Sequence, residues 1–334
     1  MKVLFIGGTG VISSAVSQLA VEKGIELYLF NRGQHREFVP KGAKVITGDI
    51  RTPKAAAKTL KGKTFDVVVD WVAFVPQHVE TDIGLLKGSV GQYIFISSAS
   101  AYQKPPTHWL ITESTPLANP YWQYSRDKIA CEERLLAEYR DNGFPVTIVR
   151  PSHTYGITMI PAAINNWTKP WTIVDRMRKG KKVIIHGDGT SLWTVTHNTD
   201  FARGFVGLLG NSHAIGHAFH ITSDEVLTWN QIHEAVANAA GAELKPVCIP
   251  SDFIARFAPE ESGTLLGDKS WCAVFDNSKI KRFVPGFVAT MPFAQGIKHS
   301  IEWFETNPKR CIVDDEYNRF MDRLIAAYEK ALPR

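Results

Sequence analysis

With 334 residues, the chain exceeds the roughly 250–300 at which a single hydrophobic core stops growing, so two lobes are expected. A hydrophobic share of 44% beside 21% charged residues excludes a disordered or fibrous protein. The 38 basic and 33 acidic side chains leave +5 with no run of five basic residues, which excludes a strong nucleic-acid footprint.

The opening "MKVLFIGGTG" has too short an apolar run for a signal peptide, and no stretch reaches ~18 apolar residues, so no membrane span is expected. Apolar runs bounded by turn residues recur at 2–8, 25–31, 44–49, 66–74, 92–98 and 145–151. Most are β-branched and apolar on both parities, as buried parallel strands are. Helical patterns lie between them, among them 13–24 and 126–143, each ending in a Gly at a C-cap position. Strand–helix alternation predicts an α/β fold, a Rossmann-type doubly wound parallel sheet with a smaller C-terminal substrate lobe. The texture changes after Gly156, where aromatics and prolines become frequent. "HNTDFARGFVGLLG" and "AFHIT" then read as a helix and strand returning to the first lobe. The expected dinucleotide-binding Rossmann domain is therefore 1–156 plus about 195–222, and the substrate-binding lobe about 157–194 plus 223–334. Cys131, Cys248, Cys272 and Cys311 are far apart, with no CxxC and no zinc-spaced His pair. They read as reduced thiols of a cytoplasmic protein without a metal.

"VLFIGGTGVISSAV" is a strand, a glycine turn and a helix, with Gly7, Gly10 and Ser13 spaced GxxGxxS. Such a turn leaves backbone N–H groups at a helix N-terminus for a pyrophosphate, and its place at the start of a βαβ unit predicts dinucleotide binding. The second strand ends in Asn31-Arg32, where an NAD-specific binder has an acidic residue for the ribose hydroxyls. A guanidinium suits a 2′-phosphate, so NADP is favoured over NAD; the alternative is that Arg32 covers the adenine face. Asp49 is placed to accept from the adenine amino group. In "YWQYSRDKIACEE", Tyr124 and Lys128 stand four apart, on one helix face and about a turn from each other.

The glycine turn, "FISSASAY" and YxxxK, in this order, resemble the extended short-chain dehydrogenase/reductase family, the NAD-dependent epimerase/dehydratase group. "RPSHTYG" (150–156), "GDGTSLWTVTHNTDFA" (187–202) and "DNSKIKRFVPGF" (276–287) resemble later landmarks of that family, so the likeness spans nearly the whole chain. It implies Tyr124 as the acid/base and Lys128 as the nicotinamide-ribose ligand that also lowers the tyrosine's pKa. It implies Ser98, four residues before Tyr102 of the Ala101-Tyr102 pair, as the hydroxyl that holds the substrate oxygen. Ser97 and Ser100 are expected to serve the turn and secondary hydrogen bonding, with Ser100 a further substrate contact. The cofactor set that goes with the resemblance is Gly7, Thr9, Gly10, Val11, Ile12, Asn31, Arg32, Asp49, Ile50, Trp71, Val72, Ala73, Lys128, Pro151 and His153. The family also implies a homodimer through the Tyr-bearing helix, for which Ile129, Leu135 and Leu136 are available.

Two departures narrow the substrate. Ala99 and Ser100 stand where dehydratases of the family carry an Asp-Glu pair, so elimination lacks its acid and base. Trp193 stands where nucleotide-sugar enzymes carry a diphosphate-binding Arg; an indole can stack on a sugar or an apolar substrate instead. Trp167, Trp171 and Trp193 otherwise read as second-lobe core. His153 replaces the Asn of "RPxN" and reads equally as a substrate contact or a structural, hydrogen-bonded His. The expected function is an NAD(P)-dependent oxidoreductase moving hydride between nicotinamide and a carbonyl or alcohol of a small, sugar-like substrate. The alternatives are a sugar or nucleotide-sugar epimerase with tightly bound NAD and, from another class, an RNA-binding protein. Chloroplast stem-loop RNA-binding proteins share this fold and resemble the chain around "FNRG", yet they have generally lost the Tyr/Lys pair kept here.

Overall fold

The computed structural model describes residues 1–333. Seven strands form its main sheet: β1 (Lys2–Ile6), β2 (Glu26–Asn31), β3 (Lys44–Thr47), β4 (Phe65–Asp70), β5 (Val90–Ile96), β6 (Val146–Arg150) and β7 (Ala218–His220). All pairings are parallel, in the spatial order β7-β6-β5-β4-β1-β2-β3. Strand order reverses between β1 and β4, which opens a crevice at the strands' C-terminal ends where such sheets bind ligands.

Both faces of the sheet are covered, which is why its strands are apolar on both parities. Val3, Phe5, Val67, Val69 and Ile94 pack on one side with Phe201 and Phe205. Leu4, Ile6, Val68, Tyr93 and Phe95 pack on the other with Ile83 and Leu135. The helices are α1 (Ser13–Glu22), α2 (Pro53–Leu60), α3 (Pro76–Leu86), α4 (Gln123–Asn142) and α5 (Asn198–Val206). Helix α4 stops at Gly143, whose φ of 69° is left-handed and favours a residue without a side chain. Helix α5 packs on α1, and β7 pairs with β6. Ile280 and Phe287, from the C-terminal part of the chain, join the same layer.

Leu135 is not available for a subunit contact. It is fully buried against its own sheet, while Ile129 and Leu136 stay half-buried. The reason is helical phase, since Cys131 and Leu135 share the sheet-facing side of α4.

The second lobe packs the helices Thr172–Arg178, Trp229–Ala239 and Phe293–Glu305 around Trp171, Trp193, Trp229 and Ile232. Short parallel pairs complete it: Val183–His186 with Pro246–Ile249, and His153–Tyr155 with Val195–His197. Among the described residues, no helix is long and apolar enough to cross a membrane.

Candidate active site

The glycine turn after β1 is held open by backbone shape and by hydroxyls of α1. Gly7 and Gly8 both have φ of 99°, a region that L side chains rarely adopt. A Cβ on Gly8 would come within 2.6 Å of the Leu29 side chain. Ser13, in the place of a third small glycine, accepts from the Gly10 N–H at 2.9 Å, and Ser17 donates to the Gly8 carbonyl at 2.7 Å. The side chain therefore closes the turn rather than crowding it.

A cleft of about 440 Å³ runs from this turn over the ends of β1, β2 and β4. Gly7, Thr9, Gly10, Asn31, Arg32, Asp49, Ile50, Trp71 and Val72, all expected on the cofactor, line it. The Asn31 amide donates to the Gly7 carbonyl at 3.5 Å while its oxygen accepts from the Gly33 N–H at 2.9 Å, fastening β2 to the glycine turn. The Arg32 side chain is exposed at the end of β2. Val11, Ile12 and Ala73 lie outside the lining: Val11 gives its carbonyl to the Asn198 amide at 2.7 Å, and Ala73 gives its own to Lys128. Sequence reasoning missed Arg51. It lines the cleft, donates to the Val72 carbonyl at 2.8 Å, and keeps its Nη1 buried without a partner. A glycine cradle beside an orphaned guanidinium nitrogen fits a phosphate-bearing dinucleotide.

Tyr124 and Lys128 rise from the first turns of α4 toward the end of β5. The Lys128 ammonium is buried and donates to the carbonyls of Ala73 and Ile96 at 2.6 and 2.7 Å. Two of its three protons are thus engaged, leaving one for a ligand. Burial pushes its pKa down to about 8. The nitrogen also stands 4.7 Å from the Phe74 ring centre and 5.7 Å from that of Tyr124. Burial raises the Tyr124 phenol, and the Ser98 hydroxyl beside it pulls the other way. The Lys128 ammonium is turned to the two carbonyls, and burial dominates the phenol.

Ser98 follows β5 and caps the short helix Ala99–Ala101 by accepting from the Ser100 N–H at 3.2 Å. Its hydroxyl lies 2.9 Å from that of Ser100, which in turn accepts from Ser125 on α4 at 2.8 Å. A chain of three hydroxyls thus ends at the residue next to the phenol.

Ser98, Ser100 and Tyr124 open onto a second cavity of about 420 Å³, between the end of β5, the start of α4 and the second lobe. Pro151 and His153, expected on the cofactor, line this cavity instead, because the chain leaves β6 toward the second lobe there. His153 stacks on Trp167 with ring centres 5.5 Å apart and has a buried, unpartnered Nε2. Burial, followed by the Lys269 charge, holds its pKa at about 3, so the ring is neutral near pH 7. Trp193 does not reach the cavity. It is 1% exposed and packs on Trp229, 5.2 Å between ring centres, whereas half-exposed Trp167 lines the cavity. Lys104, Trp122, Asp268 and Lys269 also line the cavity and had no signature in the sequence; their proximity exists only after folding.

A Rossmann sheet with a glycine cradle at its switch point, next to a Ser-Tyr-Lys cluster, defines a dinucleotide-dependent enzyme class. A family model described as the NAD dependent epimerase/dehydratase family matches residues 3–222, and the chain belongs to that family. It is an NAD-dependent oxidoreductase or epimerase. The chain is 24% identical over 287 residues to 2'-dehydrokanamycin reductase of Streptomyces kanamyceticus, covering 86% of this chain and 80% of that protein. It is 26% identical over 273 residues to a chloroplast stem-loop binding protein of Arabidopsis thaliana, covering 78% and 67%. The fold matches dTDP-glucose 4,6-dehydratase from Bacillus anthracis, solved in complex with NAD, with a TM-score of 0.73, 20% identity and coverage of 92% and 98%.

Proposed function

We propose that the protein is an NADP-preferring oxidoreductase that interconverts a carbonyl and an alcohol on a small substrate, with Ser98, Tyr124 and Lys128 as its catalytic residues. The observation that carries this reading is the opening of Ser98 and Tyr124 onto one cavity while Lys128, a turn away, faces the cofactor cleft residue Phe74. The nicotinamide, when bound, supplies or accepts the hydride. Ser98 donates to the substrate oxygen and orients it. Tyr124 gives its phenolic proton to that oxygen during reduction and takes the hydroxyl proton during oxidation. Lys128 holds the ribose with its remaining proton and favours the phenolate by its charge. Ser100 and Ser125 keep the Ser98 hydroxyl pointed.

Asn31 is engaged by the glycine turn and the sequence has no acidic residue at 31 or 32, so the exposed group at the end of β2 is the Arg32 guanidinium, suited to a 2′-phosphate. In this reading residues 1–156 with about 195–222 bind the dinucleotide, the remainder forms the substrate lobe, and the protein is a cytoplasmic homodimer. An epimerase that keeps its NAD is the second reading, favoured by the family itself; mass spectrometry of cofactor released from fresh protein separates the two. RNA binding has no support beyond the name of one relative.

Tyr124→Phe is the test. A positioned acid/base is worth about 10²–10⁴-fold in rate, so turnover falls by that factor while cofactor affinity holds. Lys128→Met lowers both. Retention of more than about a tenth of the activity by Tyr124→Phe overturns the assignment.

A further inference from the structure

The cavity beside Tyr124 holds two lysines whose ammonium groups have no hydrogen-bond partner among the described residues. Lys104, in the loop after Tyr102, and Lys269, from the second lobe, are each 3% exposed and line the cavity beside Tyr124. Burial depresses both ammonium groups, and the charges of Asp268 and, for Lys269, Glu261 pull the other way. Asp268 faces both electrostatically without bonding either. Glu261 also faces Lys269, but its carboxylate is taken by Thr264 and Tyr317, at 3.3 Å each, and it lies outside the cavity lining. Lys269 rests 5.2 Å from the centre of the Trp167 ring, which stacks in turn on His153. Buried charges are retained in proteins when something pairs with them. Both ammonium groups keep contact with the cavity, where an anionic ligand can pair with them.

We propose that the substrate carries an anionic group, a carboxylate or a phosphate, that seats between Lys104 and Lys269 while its carbonyl or hydroxyl meets Ser98 and Tyr124. This rests on the reading above and narrows its substrate class to small acids. The cavity, about 420 Å³, sits within the range of small-molecule sites, so anion and reacting oxygen belong to one compact molecule. Trp167 and Trp122 add apolar walls for a ring or chain between them. Asp268 disfavours a second negative charge there.

The test is calorimetric titration of the NADPH-loaded protein with four pyranoses of similar size: galacturonate, glucose 6-phosphate, galactose and galactosamine. At least one acid is expected to bind about tenfold or more tightly than galactose and galactosamine, less so in high salt. The tighter acid identifies the headgroup. Lys104→Met and Lys269→Met each weaken that acid by about tenfold or more, Lys269→Arg retains most of the affinity, and Asp268→Asn strengthens it. NADPH affinity, measured in every variant, reports an intact fold. Removing an unbonded buried ammonium should leave the melting temperature of Lys269→Met unchanged or higher. A lower one marks Lys269 as a structural partner of Asp268 and overturns the proposal. So does equal binding of neutral and acidic sugars, absence of binding by both acids, or insensitivity of acid binding to both lysine variants. Tyr124→Phe should lose turnover yet still bind the acid more tightly than galactose, so a wrong reaction and a wrong substrate class give different results.

Discussion

Lys128 governs the pH behaviour expected of the site. Burial depresses its pKa to about 8, against an ordinary value near 10.4. For a depressed lysine the charged form dominates below the folded-state value and is lost as pH rises through it. If that charge supports proton donation by Tyr124, kcat/KM for carbonyl reduction is level up to pH 7.5 or so and falls above about 8. A reductive profile that stays flat through pH 9.5 or so contradicts this. Arg32 supports a second prediction at the same scale. Arg32→Asp replaces the exposed guanidinium with a carboxylate that repels a 2′-phosphate and accepts from ribose hydroxyls, so the preference turns from NADP to NAD. Equal affinity of the unaltered protein for both cofactors, by calorimetry, removes the argument. Single residues were the least legible level of the sequence. Ser98, Tyr124 and Lys128 were named through a family resemblance rather than from spacing alone, and Trp193 could not be told from a ligand-facing tryptophan until its neighbours were known. Lys104 and Lys269 lie too far apart in the chain for any local pattern to unite them.

Elements were more legible, because the physics that fixes them is local. The six apolar runs of the first half all became strands of the main sheet, and Gly143 ends α4 in the left-handed conformation that only glycine adopts easily. What the pattern could not give was the polar content of the layer between elements. Asp70 at the end of β4 and Asp82 on α3 are both fully buried, and the Tyr93 phenol donates to Asp82 at 2.6 Å. Burial first, then the Asp70 charge, holds the Asp82 carboxyl well above the usual carboxylate range. A raised carboxyl takes up a proton on folding at any pH between its unfolded and folded values. Its contribution to stability is therefore greatest in acid and shrinks as pH rises above about 4. Asp82→Asn removes that loss while its amide oxygen can still accept from Tyr93. The melting temperature of Asp82→Asn should exceed that of the unaltered protein by more at pH 8 than at pH 5, corresponding to about 1–3 kcal/mol for an uncompensated buried polar group. An equal or smaller gain at pH 8 shows that Asp82 is ionised and paired.

At the scale of the whole molecule, length and the change in texture after Gly156 led to the expectation of two lobes, whereas assembly depends on which surface is left over. Helices α3 and α4 lie side by side, tied by ion pairs of Lys87 with Glu138 and of Arg134 with Glu80, while Arg134 also pairs with Glu138 within α4. Leu135 is turned into the sheet, so of the three apolar α4 residues expected at a subunit contact half-buried Ile129 and Leu136 are left. On α3, Gly84 is exposed, and a side chain added there would meet nothing within 4 Å, which leaves a flat place where another helix can approach closely. Two copies of this helix pair around a two-fold axis would cover Ile129 and Gly84 at once, since a two-fold contact presents the same patch from both sides. Light scattering at micromolar protein is expected to give twice the 37.2 kDa chain mass. Ile129→Arg places like charges against each other across the axis and should return the mass to that of one chain, with NADPH affinity retained because Ile129 lines neither the cofactor cleft nor the substrate cavity. A single-chain mass for the unaltered protein rejects the dimer, and a dimer that survives Ile129→Arg places its interface elsewhere.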